Sequence, residues 1–504
     1  MRSTEGPTHM QPAIDFPADH SGAVIPLHLV LGTAAKVLCS AVFLSGRSIE
    51  DARRHSLVHA LFVHHLHDVL YDLVRVEVDG EERSVTVSVV LDRPGVEQIV
   101  KGYRAYYADL DANWQVESER LLSLGAVSRT ARFTGDQGSV ILPPDDRPLG
   151  FEPVPVRTTL PDPATQEWPM GDLLGGAGVS AVDRVLVAAA IDAGFRGDLA
   201  ATAAVVVLHR GEIVGERYRD GIDAHTQLES WSMGKSLTGT LIGVLIQQGH
   251  LSLDQPAPIQ EWQGDGDPRA TIRIRDLMQM SSGLLYSGQD DPRQRWPLAV
   301  PEHLYIYSDT VDAFERAIGS PAEHPPGTVG RYRNCDPLTL GAIIRRTVTE
   351  KLGENYHQWP QAALFDRIGI RRQVLETDWH GNFLLTGFDY GTARNWARLG
   401  LLYLQDGVWE GERVLPEGWS QFVSTPAAAW PEPCYGGQFW LNRTREFALP
   451  EEAYFMAGYG EQRVFVVPSA DLVIVRMGHR SDTDAPREAT NAMLRLLMEA
   501  VGSA

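Results

Sequence analysis

Glu229-Ser-Trp-Ser-Met-Gly-Lys-Ser236 is the stretch on which the reading of this chain turns. It places Ser232 three residues before Lys235. An apolar run follows at helical spacing, through Leu237, Leu241, Val244 and Leu245, and stops at Gly249, a residue type common just past a helix end. Ser232 and Lys235 are therefore predicted on the first turn of one helix, on the same face. A hydroxyl is a poor nucleophile at neutral pH, and a neighbouring amine can take its proton only if that amine is uncharged. Burial lowers a lysine pKa by up to about 3–5 units. The positive end of the helix dipole disfavours the ammonium further.

Ser-x-x-Lys alone is a weak signal, and a lysine whose stem covers apolar surface at a helix start is the simpler account. The chain has only four lysines, Lys36, Lys101, Lys235 and Lys351. Its other basic residues are arginines, which do not release a proton. Gly234-Lys235-Ser236 also matches the tail of a phosphate-binding loop. That motif needs a glycine five places before Gly234; position 229 is Glu, and 226–231 does not read as a buried strand.

A chain of 504 residues exceeds what one hydrophobic core fills. The formal net charge of −20 argues against nucleic acid or an anionic membrane as partner. Cys39, Cys335 and Cys434 lie far apart and form neither a disulfide framework nor a zinc signature, which fits a reducing compartment. The apolar stretch 23–44 is interrupted by Pro26, His28 and Lys36 and lacks a basic leader. It reads as a buried helix near Thr33–Leu44, without stable membrane insertion. A cytoplasmic setting is expected, with a periplasmic or membrane-associated one left open. His55, His59, His64, His65 and His67 run around a helix and contain no HExxH pattern, so they read as core or solvated residues. No metal and no cofactor is expected.

Residues 1–20 are polar and read as a disordered tail. Residues 21–145 read as an N-terminal accessory region of mixed α/β character, with alternating strands at 74–79 and 84–90 around a turn at Gly80. Residues 146–172 have the proline-rich composition of a linker. The main domain is expected over 173–504. Ser180-Ala-Val-Asp183 reads as a capping box before an apolar helix, a strand hairpin follows over 203–219, and the chain ends with strands at 463–467 and 472–477 and a final helix from about Arg487. This order implies an α+β fold, an α/β sandwich whose antiparallel sheet is closed by chain-distant strands and flanked by helices.

Two further motifs accompany the serine. Pro325-Pro-Gly-Thr-Val-Gly-Arg-Tyr-Arg-Asn334 presents Tyr332 and Asn334 on a tight turn ahead of a helix, and Ala457-Gly-Tyr-Gly-Glu-Gln462 enters a strand. With Met278-Gln-Met-Ser-Ser-Gly283 and the stretches 391–400 and 406–416, these segments resemble the serine hydrolases of the class C β-lactamase and penicillin-binding-protein superfamily. Within it the chain looks most like the 6-aminohexanoate-dimer hydrolase and esterase branch. The resemblance covers roughly the last two-thirds of the chain and implies a β-lactamase/transpeptidase-like fold. It also implies roles: Ser232 as nucleophile forming an acyl-enzyme, Lys235 and Tyr332 sharing the proton work, and the backbone N–H groups of Ser232 and Tyr459 as the oxyanion hole. Asn334 would position the substrate or Lys235, and Gly458, Tyr286 and Trp231 would border the substrate. The implied substrate is a small-molecule ester or amide.

Two departures from the family pattern matter. The family's third strand motif opens with Lys or His where β-lactams are the substrate; here the region is Phe455-Met-Ala-Gly-Tyr-Gly, without a cation. Amide-cleaving relatives recruit a tyrosine after the Ser-Ser-Gly stretch, for which Tyr286 is the nearest match in uncertain register. Amides are thereby disfavoured relative to esters, and β-lactamase or DD-peptidase activity more so. A non-catalytic binding protein on the same fold is the alternative from another class. The loop 284–330 offers Tyr286, Trp296, Tyr305 and Tyr307 as pocket walls or as core. The N-terminal region, given no site residue, is a candidate to cover the active-site mouth or to support a homodimer.

Overall fold

The computed structural model describes residues 25–62, 66–106, 112–145, 147–175, 182–285, 306–480 and 483–502. The expected tail 1–20, His64, His65, Ser180, Tyr286, Trp296 and Tyr305 lie outside these residues.

Six strands form the main sheet, in the spatial order Trp440–Leu441, Tyr454–Gly458, Gln462–Val467, Leu472–Gly478, Thr202–His209, Glu212–Tyr218, each antiparallel to its neighbour. The closing pair joins chain-distant strands, with Val475 opposite Val206. Strand Thr202–His209 is buried along its whole length, which is why its apolar run hardly alternates. Val205 and Val207 face the helices Arg184–Gly194 and Ala485–Gly502, while Val206 and Leu208 join the core around helix Met233–Gln247. Helix Arg184–Gly194 starts at Asp183, whose carboxylate accepts from the N–H groups of Val185 and Leu186. A single side chain here caps two orphan donors, where a reciprocal capping box from Ser180 was expected.

The N-terminal region is a four-stranded antiparallel sheet, Val74–Asp79, Ser84–Val90, Ala126–Phe133 and Ser139–Ile141, in chain order. Val85, Val87, Val89 and Ala131 form a core with helix Leu27–Phe43. That helix begins directly after Pro26 rather than near Thr33, because proline suits a helix start. Val374 and Tyr390 of the main unit belong to the same core, and Lys36 on the helix meets Glu376 at 3.0 Å with both side chains buried. The region is thus packed into the main unit.

The described residues of the proline-rich segment carry only short local structure, a 3₁₀ turn at Pro163–Thr165 and a bridge between Glu167 and Leu173, since prolines withhold the N–H groups a ladder needs. It lies along the main unit: Thr158 and Thr159 bind the Asp366 carboxylate at 2.6–2.9 Å, and Arg398 donates to the carbonyls of Pro169 and Gly171. No described helix is long and apolar enough to cross a membrane.

Candidate active site

Strand Leu228–Glu229 pairs with Asp389–Gly391. The next residue, Ser230, donates its N–H to the Asp389 carbonyl at 2.9 Å and its hydroxyl to the Asp389 carboxyl. Trp231 then adopts φ +47°, a strained backbone for a bulky side chain. Its ring is buried against Phe388 at 5.5 Å and Tyr459 at 6.1 Å between centroids. This kink delivers Ser232 to the N-cap of helix Met233–Gln247, partly open to solvent.

Lys235, one turn on, is buried, and its Nζ lies 2.9 Å from Ser232 Oγ and 2.7 Å from the Thr386 carbonyl oxygen. Burial pushes its pKa well below the usual lysine value, with no carboxylate among the causes to restore the charge. The amine also faces the Tyr332 ring, 4.9 Å from the centroid. The Tyr332 phenol is within hydrogen-bonding reach of Ser232; burial raises its pKa, with Ser232 and the Arg463 charge opposing the rise. An amine whose charged form burial disfavours, an alcohol and a phenol whose ionisation burial disfavours meet at one point, an arrangement able to withdraw and return the serine proton.

Tyr332 is held by its neighbours. Arg333 is fully buried and donates to the carbonyls of Leu284, Arg331 and Val329 at 2.7–3.2 Å. Asp336, in the first turn of helix Cys335–Arg346, accepts from the Ser282 hydroxyl at 2.5 Å. This bond ties the Ser-Ser-Gly stretch to the Tyr332 turn. Asn334 stands at the N-cap position of the same helix without a side-chain capping bond, and its Oδ1 is buried without a hydrogen-bond partner among the described residues. Trp440 at 5.5 Å and Tyr435 at 6.3 Å flank the Tyr332 ring, and Trp430 stacks on Tyr435 at 4.7 Å.

Gly458 ends strand Tyr454–Gly458 so close to Ser230 that an added Cβ would collide with the Ser230 carbonyl. Close approach is the reason for glycine here, and it carries Tyr459 past the residues that precede Ser232. Tyr307, offered above as pocket wall or core, is core: its hydroxyl donates to Thr386 Oγ1 at 2.5 Å and its ring packs on Phe388 at 5.2 Å. It thus supports the carbonyl that receives Lys235. Among the described residues no group of His, Cys, Asp and Glu side chains is placed to hold a metal ion.

Sequence reasoning did not find Thr386, Phe388, Arg333, Asp336 or the aromatic wall of Trp430, Tyr435 and Trp440. The charges within and just after the Tyr332–Asn334 turn were the available signal for Arg333 and Asp336; the others carry no local signature.

The sequence model of the family described as Beta-lactamase matches residues 188–497. A curated relative, the 6-aminohexanoate-dimer hydrolase of Paenarthrobacter ureafaciens, is 25% identical over 308 residues, covering 56% of this chain and 74% of its own length. A solved structure from Bacillus anthracis, provisionally called a 6-aminohexanoate-dimer hydrolase, aligns with TM-score 0.51 at 22% identity, covering 67% of this chain and 88% of its own. A provisional beta-lactamase from Bacteroides dorei DSM 17855 aligns with TM-score 0.50 at 15% identity, covering 64% and 100% respectively. At these identities the two structures bear on the fold alone.

Proposed function

The chain belongs to the beta-lactamase family, and from that premise we propose that it is a serine hydrolase that cleaves a small-molecule ester through an acyl-enzyme. The observation that carries the reading is the 2.9 Å separation of Lys235 Nζ and Ser232 Oγ, with the amine's charge suppressed by burial. Ser232 Oγ attacks the ester carbonyl carbon as its proton passes to Lys235 Nζ. The backbone N–H groups of Ser232 and Tyr459 hold the resulting oxyanion, each worth roughly 10²–10³ in rate. Collapse breaks the bond to the alkoxide, which takes a proton relayed from Lys235 through Tyr332. Water then adds to the acyl group and returns its proton along the same path, and Ser232 Oγ leaves reprotonated. Because burial raises the Tyr332 pKa, the phenol serves as a neutral relay rather than a standing base.

The third strand motif offers no cation to a substrate carboxylate. Arg463, opposite Ala457 on the next strand, is committed to the Gly458 and Gln462 carbonyls and to Glu461 at 2.8–3.0 Å. This supports uncharged substrates over β-lactams. Amide hydrolysis is the second reading, favoured by the Paenarthrobacter ureafaciens relative. Trp231 and Gly458 shape the ground on which the substrate rests in either reading.

A panel of short p-nitrophenyl esters, anilides and nitrocefin, run with wild type and Ser232→Ala, tests the proposal, together with a fluorophosphonate probe. The expected result is ester turnover and Ser232 labelling in wild type and neither in the variant. Undiminished turnover in Ser232→Ala refutes the nucleophile. Absence of both labelling and turnover in wild type points to a binding protein, and nitrocefin turnover matching that of good esters points to a β-lactamase.

A further inference from the structure

The family match begins at residue 188, yet the N-terminal region reaches the segments that build the site. His59 is buried, with its ring centroid 4.3 Å from that of Tyr459 and 5.0 Å, edge-on, from that of Trp231. The three rings meet in one triangle. Ser56 donates to Glu229 at 3.2 Å, and Arg47 stands 3.9 Å from the same carboxylate. Asp51 takes both ends of the Arg219 guanidinium at 2.8 Å, and Arg219 in turn donates to His479 at 3.2 Å, just past strand Leu472–Gly478. Lys36 lies 5.1 Å from the Phe388 ring, which packs on Trp231 from another side.

Of these groups, the rings of His59 and Phe388 meet Trp231 itself. Its φ of +47° immediately precedes Ser232, and a strained backbone persists only where its surroundings over-determine it. His59 and Phe388 supply those surroundings. His59 also touches the side chain of Tyr459, so a single ring borders both Trp231, which sets the direction of the Ser232 N–H, and Tyr459, whose own N–H is the second oxyanion donor.

We propose that the N-terminal region is a working part of the hydrolase, and that His59 is a positioning residue that fixes the spacing of the Ser232 and Tyr459 N–H groups. This rests on the reading of Ser232 as nucleophile. The His59 imidazole takes no proton from the substrate; its flat face and volume do the positioning.

The test uses the full chain with His59→Ala, His59→Phe and His59→Leu. Each is assayed for kcat and KM on a p-nitrophenyl ester, for thermal midpoint, and for inhibition by phenylboronic acid, which mimics the tetrahedral intermediate. The expected result for His59→Ala is a kcat lower by about 10²-fold, comparable to one lost oxyanion donor. Its KM should stay within about threefold, and its boronate affinity should fall in step with kcat. His59→Phe, which keeps a ring, should recover most of both. A kcat in His59→Ala within about threefold of wild type overturns the proposal, as does a loss that leaves boronate affinity intact or that His59→Phe fails to repair. If His59→Ala does not fold, the comparison of Phe with Leu decides: Phe near wild type with Leu impaired supports positioning by a flat ring, and equal behaviour overturns it. Wild type that a fluorophosphonate does not label at Ser232 sinks the hydrolase reading itself. Equal labelling rates in wild type and His59→Ala sink only this inference.

Discussion

Lys235 Nζ stands 2.9 Å from Ser232 Oγ while donating to the Thr386 carbonyl at 2.7 Å, so the carbonyl fixes the amine's direction while burial pushes its pKa well below the usual lysine value. Lys235→Arg puts a permanent cation at this place and should lower kcat/KM by about 10²–10⁴-fold; near-wild-type turnover would exclude proton acceptance by residue 235. The pH dependence has a definite sign. The folded-state pKa lies below the unfolded value, so between the two the unfolded chain binds the extra proton and stability rises with pH. Activity rises through the folded-state pKa as the free amine appears. Lys235→Met should flatten the stability rise, measured by urea midpoints across alkaline pH.

Tyr332→Phe removes only the phenol oxygen. The ring keeps its neighbours Trp440 and Tyr435, and Arg333 still braces the turn through three carbonyls. The thermal midpoint should move by only a few degrees while kcat falls about 10²–10⁴-fold. With an activated ester, whose alcohol leaves without a proton, the acylation step should suffer less than with an alkyl ester. Equal loss on both would remove the leaving-group role.

Gly458→Ala places a methyl group against the Ser230 carbonyl. Both partners are backbone, so neither strand Tyr454–Gly458 nor the Ser230 turn can yield without moving the other. The expected outcome is a kcat lower by about 10²–10³-fold, the value of one oxyanion donor, with KM less affected. Pre-steady-state acylation rates check it; an unchanged rate would place the oxyanion hole elsewhere.

How much was legible before coordinates depended on distance along the chain. Ser232 and Lys235 are one helical turn apart, so their meeting follows from helix geometry. The all-apolar strands and the Tyr332 turn also announce themselves locally. Trp231 does not, because a positive φ at a bulky residue reflects what surrounds it, here His59, Phe388 and Tyr459. His59 was read among a histidine cluster as core or solvated, and it is buried; what its own helix could not show is that a distant strand would bring Tyr459 to it. Lys36 read as an interruption of an apolar stretch, and its partner Glu376 comes from the main unit.

That pair carries a stability prediction. Lys36 Nζ meets Glu376 at 3.0 Å and donates to the Ser139 carbonyl, while Glu376 accepts from the Ser139 N–H at 2.7 Å and from Ser40 Oγ at 2.5 Å. Removing one partner leaves buried polar groups uncompensated, so Lys36→Met should cost about 3–5 kcal/mol. Lys36→Met combined with Glu376→Gln should recover part of that loss, since it removes both charges. Denaturant unfolding of the single and double variants measures the coupling; additive losses would mean the two charges do not stabilise each other.

Asp389 supplies a pH dependence of the opposite sign. Burial raises its pKa to about 7, even though hydrogen bonds from Ser230 and Gln373 favour the carboxylate. The unfolded carboxyl loses its proton near 3.8, whereas the folded one keeps it to about 7, so across that window the folded state binds more protons. This contribution to stability is fully present below about pH 4 and is lost as pH rises through about 7; at about 1.4 kcal/mol per unit it is on the order of 4 kcal/mol. Glu229 works the other way in a lower window. Burial alone would raise it, but the His479 hydrogen bond and the Arg47 charge bring it down to about 2, so its stabilisation is lost as pH falls below about 4.5. Asp389→Asn keeps an acceptor for Ser230 and carries no charge at any pH. Urea midpoints between pH 4 and pH 8 should therefore decline less in Asp389→Asn than in wild type, and the difference between the two curves isolates this carboxyl from Glu229. Parallel curves would mean that Asp389 is already ionised in the folded protein, and that the Ser230 turn before Ser232 is held by a charge-assisted bond instead of a neutral one.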